Sequence, residues 1–165
     1  MLTSLATMGD TSSNTLTVHL VPHTHADCGW LRTMDSYYSG VNDLVSVSNI
    51  LDAVVSSLAK NPSRRFTWVE QSFFQQWLGE QDEAGRSATR KLVQSGQLQF
   101  ANGGWCMHDE AAAHYVDMVD QTTLGHRMIV DAFGPEAVPT VAWCVWAEAL
   151  KQAGRRAHPN RPPQP

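Results

Sequence analysis

The apolar positions of this chain change period several times, and each change marks an element. Leu16–His23 is apolar and β-branched and reads as a strand. Between Asn42 and Lys60, residues Leu44, Val45, Val47, Ile50, Leu51, Val54, Val55 and Leu58 fall at helical spacing, and Asn61-Pro62 stops the run. Arg65–Glu70 reads as a second strand. Gln71–Leu78 and Ala88–Ser95 read as two helical pieces, with polar Gly79–Ser87 between them and Gly96 as a C-cap. Gln97–Ala101 is a third strand, running into Asn102-Gly103-Gly104-Trp105. Ala111–Phe133 is a long amphipathic helix closed by Gly134-Pro135, and Thr140–Val145 is a fourth strand. The alternation predicts an α/β fold: a parallel sheet of about four strands joined by right-handed crossovers. Four strands do not close a barrel, so the expectation is a small open sheet or part of a larger one.

Composition adds boundaries. At 165 residues the chain is one domain or part of one. Residues 1–15 read as a flexible N-terminus without the basic and apolar regions of a signal peptide. Residues 151–165 read as a disordered, basic, Pro-rich tail. The net charge of −4 hides an asymmetry: with Lys151, Arg155, Arg156 and Arg161 set aside, 8 basic residues face 16 acidic ones. That balance argues against a nucleic-acid surface. No apolar run approaches about 18 residues, so no membrane span is expected. Cys28, Cys106 and Cys144 form no C-x-x-C motif; each lies near the end of a predicted strand, where they could approach one another, and buried small hydrophobes are the plainer reading.

Candidate chemistry gathers where the predicted strands end. VHLVPHTHADCGW (Val18–Trp30) begins as a strand and finishes in metal-ligand residue types. If the strand persists, His23, His25 and Asp27 share a face, and imidazole with carboxylate is a partial zinc shell. The other strand ends carry Glu70, then Trp105, His108 and Asp109, then Cys144. Glu70 is a base, a supporting acceptor or, preferred, a salt-bridged rim residue. Asp109 and Glu110 resemble paired carboxylates, but helix capping is the favoured role. His114 and His126 read as helix-surface residues, and the six Trp as core before sugar-stacking.

Four stretches agree in order with one family: HTHADCGWLRTMDSYYSG (His23–Gly40), NILDAVVSSLAKNPSRRFTWVEQSFFQQW (Asn49–Trp77), LVQSGQLQFANGGWCMHDEA (Leu92–Ala111) and HYVDMVDQTTLGHRM (His114–Met128). Over about residues 17–143 the chain resembles the N-terminal part of the class II α-mannosidases, glycoside hydrolase family 38, of the lysosomal or vacuolar acid type. The resemblance implies that residues 16–150 are a partial catalytic domain, part of a seven-stranded α/β barrel. It implies Zn2+ held by His25 and Asp27, a sugar ring against Trp30, and a mannose-containing glycan as substrate. Hydrolysis in the family retains configuration, with one Asp as nucleophile and another as acid and base. It further implies a lysosomal, vacuolar or secretory location.

The agreement stops at Trp143. The family continues A-W-x-I-D-P-F-G-H-S, whereas this chain reads Ala142-Trp143-Cys144-Val145-Trp146-Ala147-Glu148, with Trp146 where the nucleophilic Asp and third zinc ligand should stand. Glu148, two residues on, is displaced by roughly 6–7 Å along a strand. The expectation is therefore a truncated α-mannosidase with a divergent tail, inactive alone because nucleophile, acid/base residue and two zinc ligands are absent. The alternatives are a non-catalytic product or weak metal or sugar binder, completed by another chain or by self-association, and another metal-dependent polysaccharide hydrolase or deacetylase.

Overall fold

The structure, a computed structural model, describes residues 16–40, 45–109 and 112–143. Its centre is a short parallel ladder. Strand β1 (Phe66–Trp68) pairs with β2 (Leu98–Phe100) in the register Phe66↔Leu98, Thr67↔Gln99 and Trp68↔Phe100. Helices α3 (Gln71–Glu80) and α4 (Glu83–Gln94) form the crossover between them. Ahead of the ladder lie α1 (Met34–Ser39) and α2 (Val47–Ala59); after it come α5 (Tyr115–Phe133) and a 3-10 turn (Pro135–Ala137).

The predicted α/β alternation is present, but the described residues hold two strands, flanked by a single bridge at His23 and a single backbone hydrogen bond to Val141. The first predicted strand touches the sheet only at its end: Thr67 N–H donates to Pro22 O at 2.9 Å, and His23 bridges Thr67 in parallel. Leu16, Val18 and Leu20 are 84%, 67% and 87% exposed, so among the described residues the upstream half finds no apolar surface to pack on and makes no ladder. On the other side, Asn102 N–H donates to Val141 O at 2.7 Å, without further ladder bonds to residues 140–143. The remaining two residues of the fourth predicted strand, together with Glu110, Trp146, Glu148 and both predicted termini, lie outside the described residues.

Helix boundaries moved where a capping side chain outcompeted the apolar pattern. Helix α2 starts at Val47 because Ser46 Oγ accepts the Asn49 N–H. The polar stretch read as a linker is mostly helix: α3 runs through Gly79, and Asp82 opens α4 by accepting the Gly85 N–H at 2.7 Å. Helix α1, unpredicted, is one capped turn and a half, with Thr33 accepting from Ser36 and Gly40 closing it at φ +70°. Helix α5 begins at Tyr115, beyond the expected Ala111, and its N-cap is His114, whose Nδ1 accepts the Val116 N–H at 3.3 Å. Asp109 is thus not in the helix start, and His114 is a cap instead of a plain surface residue.

The core packs α2, α3 and α5 around the ladder. Leu51, Trp68, Phe73, Phe74 and Ile129 are fully buried, joined by Leu58, Trp77, Leu98 and Phe100. Phe74 sits edge-on to Phe100 at 5.1 Å and tilted to Phe133 at 6.0 Å, geometries that suit the ring quadrupoles. Two of the six Trp, Trp68 and Trp77, are core residues as expected. Buried Gln97 donates from Nε2 to Leu58 O and Asn61 O at 2.9 and 3.0 Å, satisfying carbonyls at the C-terminus of α2.

The tightest packing is backbone against backbone. The turn after β2, Asn102-Gly103-Gly104, crosses α5 at Gly125. Asn102 and Gly103 take positive φ, 59° and 75°, and His126 Nε2–H donates to Asn102 O at 2.9 Å. His126 is therefore a clamp on this turn, not a free surface group. A Cβ on Gly125 would collide with Gly103 O. Gly125→Ala should cost about 3 kcal/mol by overpacking, roughly a 10 °C fall in Tm; a thermal melt within two degrees of the parent would show that the two elements separate freely.

Candidate functional site

Beyond β1 the chain must both end a strand and start α3. Glu70 is the N-cap of α3, yet its side chain makes no capping bond. The first N–H groups of α3 are instead taken by carbonyls of the turn after β2: Gln71 N–H donates to Gly104 O at 3.0 Å and Ser72 N–H to Trp105 O at 3.1 Å. Glu70 O accepts the Trp68 indole N–H at 2.8 Å. The Glu70 carboxylate is thereby free to leave the helix, and its Oε1 accepts the backbone N–H of Ala26 at 3.2 Å.

That one bond holds the segment between His25 and Asp27. His25 Nε2 and Asp27 Oδ1 lie 3.0 Å apart, with both side chains about two-fifths exposed. Both line a cavity of about 280 Å³ with Thr24, Trp30, Tyr37 and Trp68. Trp30 is 74% exposed. The Leu31 N–H donates to Tyr37 Oη at 3.2 Å, tying the Trp30 segment to α1. A larger cavity of about 510 Å³ lies between the end of α4 and the 3-10 turn, and Glu136 is its one ionisable lining residue.

His23 is not brought into this group. Its ring lies edge-on to Trp143 at 4.7 Å, and its Nδ1 is 3.0 Å from Val21 O. Strand geometry ends at the His23 bridge, so the shared face expected for His23, His25 and Asp27 fails at its first member. Glu70 also departs from expectation: it is fully buried, not on a rim in a salt bridge. Burial raises its carboxyl above the ordinary range, opposed by hydrogen bonds from the backbone and by the charge of His25. Glu70 Oε2, Thr24 Oγ1, Gln71 Nε2 and Asn102 Nδ2 are buried without a hydrogen-bond partner, a concentration of unpaired polar atoms around the strand ends. Among the described residues no group of three or more His, Cys, Asp or Glu side chains could hold a metal.

The third strand end sends its residues elsewhere. Gln121 on α5 accepts the Cys106 N–H through Oε1 at 3.0 Å, which turns its amide nitrogen toward His108 Nδ1 at 2.9 Å. Nδ1 is thus the acceptor, and Nε2–H donates to Thr122 Oγ1 at 3.3 Å, whose own proton goes to Met118 O. Burial lowers the His108 pKa, so this neutral tautomer is favoured. Asp109 O accepts the Ala112 N–H at 3.1 Å. Cys28 and Cys106 do approach, as their strand-end positions allowed: a hydrogen bond between the thiols lowers the Cys106 pKa and raises that of Cys28. Cys144 lies outside the described residues. Ser72, Gln97 and Gln121 organise these loops, and nothing in a single sequence marks such residues.

Two pH effects of opposite sign follow. Glu70 has a raised folded pKa, so its cost is absent below about pH 4.5 and grows as pH rises. Glu70→Gln should therefore raise Tm at pH 7 relative to the parent, with the gap closing at acidic pH; a constant gap would mean that ionisation of Glu70 is not resisted by the fold. His108 has a lowered folded pKa, so its contribution is full above about pH 6.5 and lost on acidification. His108→Gln should flatten the fall in Tm below that pH, and an unchanged slope would place the acid sensitivity elsewhere.

Residues 15–145 match the model of the glycosyl hydrolases family 38 N-terminal domain. The chain is 53% identical to an alpha-mannosidase of Arabidopsis thaliana over 131 residues, 78% of this chain and 13% of that protein. It is 53% identical to the lysosomal alpha-mannosidase of Mus musculus over 136 residues and 52% identical to that of Homo sapiens over 133 residues, covering 81% and 79% of this chain. It spans only about 13% of the length of these relatives. The match includes the Thr24–Trp30 segment, Glu70, the Asn102–Trp105 turn and α5, the parts that build the cavity and its support. On that agreement the chain belongs to glycosyl hydrolase family 38, through the N-terminal domain of the family.

Proposed function

We propose that the cavity between Thr24 and Trp68 is part of an α-mannoside site, in which His25 and Asp27 hold a zinc ion and Trp30 receives the sugar ring of a mannose-containing glycan. The observation that carries this reading is the pairing of His25 Nε2 with Asp27 Oδ1 at 3.0 Å beside an exposed Trp. Two ligands at about 2.0–2.1 Å on a tetrahedral zinc stand roughly 3.3 Å apart, so this donor pair is spaced for the ion with little movement. Neutral imidazole and carboxylate are also the donor chemistry that zinc accepts. A zinc bound here supplies a Lewis acid and a template for adjacent sugar hydroxyls.

The residues of this chain then bind and orient. Glu70, through the Ala26 N–H, fixes the peptide between the two ligands, as supporting hydrogen bonds do in metal sites generally. Tyr37 anchors the Leu31 peptide and so the approach of Trp30. Retaining hydrolysis needs two carboxyl groups about 5–5.5 Å apart across the scissile bond. Trp146 occupies the sequence position of the family nucleophile, Glu70 is buried, and Asp27 is committed to the donor pair. The reading for these 165 residues is accordingly a binding half-site that lacks the carboxyl pair of a retaining glycosidase, which further residues or a second chain would complete. The exclusion of His23 from the donor group leaves the deacetylase alternative without its His-His-Asp set.

A location in the lysosome, vacuole or secretory pathway belongs to the same reading and is supported by the lysosomal relatives. Among the described residues no helix is long and apolar enough to cross a membrane.

Zinc content after dialysis tests the metal assignment. His25→Ala should reduce bound zinc to background, and retention at the parent level would remove the assignment. Trp30→Ala should leave zinc in place and weaken binding of a simple α-mannoside severalfold; equal binding would remove the stacking role. No hydrolysis of a chromogenic α-mannoside is expected from the folded chain, and turnover that vanishes in His25→Ala would overturn the half-site reading.

A further inference from the structure

The turn that fastens β2 to α5 is built on the one asparagine of this chain that glycine follows. Asn102 and Gly103 both take positive φ, a region that Asn and Gly accept more readily than other residues. Gly103 leaves no room for a larger residue: a Cβ there would meet Pro139 Cγ at 2.7 Å and the His126 ring at 2.9 Å. The packing thus calls for a dipeptide that is also the least hindered toward cyclisation. With no side chain on Gly103, its backbone nitrogen can reach the side-chain carbonyl carbon of Asn102 once the chain is free to turn.

In the folded chain that reach is denied. Asn102 N–H donates to Val141 O at 2.7 Å, and Asn102 O accepts from His126 Nε2 at 2.9 Å, so the peptide planes on both sides of the Asn102 Cα are fixed. The Gly103 N–H is itself engaged, donating to Ala101 O at 2.6 Å. Asn102 is only 8% exposed, which keeps water from the group. Its Nδ2 is buried without a hydrogen-bond partner, so nothing grips the amide nitrogen and the protection rests on the backbone contacts.

We propose that Asn102 is a deamidation site, kept closed by the contact with α5 and reacting when that contact opens. The Gly103 nitrogen attacks Asn102 Cγ and loses its proton, a C–N bond forms, and Nδ2 leaves as ammonia, giving a succinimide ring. One water then adds to either ring carbonyl. Attack at Cγ gives aspartate; attack at the main-chain carbonyl gives isoaspartate, in which the backbone runs through Cγ. One water is consumed and one ammonia released, with no change of oxidation state. Isoaspartate lengthens the main chain by one methylene just before Gly103 and Gly104, whose carbonyls meet Gly125 and the Gln71 N–H. Either product also places a charge where a neutral amide was buried. A transient opening of the turn is thereby made permanent.

The full chain is held at mildly alkaline pH, native or in guanidinium chloride, and sampled over time. Fragmentation mass spectrometry of its peptides locates each conversion of amide to carboxyl. Asn102 should convert first among the asparagines in denaturant, and about tenfold or more slowly in the native chain, where only opened molecules react. Chains held unfolded should lose the capacity to regain the parent Tm in step with that conversion. Asn102→Gly, which suits the positive φ and has no amide to lose, should refold fully after the same treatment. Equal rates in native and unfolded chains would overturn the proposal by showing that the turn is no guard. First conversion at another asparagine, modified chains that refold to the parent Tm, or an equal loss of refolding in Asn102→Gly would overturn it as well. No metal or glycan enters the measurement, so its outcome is separate from that of the zinc reading.

Discussion

The arrangement around the cavity depends on a buried carboxylate that does not do the job its position suggests. Glu70 stands at the N-cap of α3, where a short polar side chain would ordinarily satisfy the helix. Here Gly104 O and Trp105 O take the first helical N–H groups, and the Glu70 side chain turns to the Ala26 N–H. Burying a carboxylate is costly, and the unpartnered Oε2 shows that the cost is not fully offset. The return is geometric: a segment with no regular secondary structure is pinned at the peptide between His25 and Asp27.

The same economy of support runs outward from that carboxylate. Its helix is capped by the turn after β2, and that turn is held by a backbone-to-backbone approach at Gly125 and by the His126 ring on Asn102 O. The strand beneath is fixed by the Phe74, Phe100 and Phe133 cluster. Displacing α5 would therefore shift the turn, then the start of α3, then the Glu70 carboxyl, and finally the ligand pair. Nothing in this relay requires α5 to contribute a side chain to the cavity itself.

How much of this could be read from the sequence follows from which forces are local. Asn61-Pro62 and Gly134 act within their own turn of chain, so helix ends near them were legible, whereas the start set by the Ser46 cap was hidden by the apolar run through Leu44 and Val45. The outer strands were not, because an apolar run becomes a strand only where a partner and a covering layer exist; Leu16, Val18 and Leu20 have neither among the described residues. His25, Asp27 and Trp30 were legible as candidates, since family resemblance singles them out, and the structure gathers them at one cavity. Their metal and sugar roles remain the proposal made above. The shared face of His23, His25 and Asp27 required the strand to continue, and the strand pairing ends at His23. Glu70, Gln97 and Gln121 act on partners dozens of residues away or through a loop, which single-sequence periodicity does not encode.

The central claim is that Glu70 positions the donor pair through Ala26, and zinc affinity measures it most directly. Glu70→Leu keeps a similar volume and removes the acceptor for the Ala26 N–H. With the fold checked by circular dichroism, calorimetric titration of the full chain should show zinc binding weakened about 10- to 100-fold. An unchanged Kd in a folded Glu70→Leu chain would contradict the claim, and would mean that His25 and Asp27 find their geometry without the buried carboxylate.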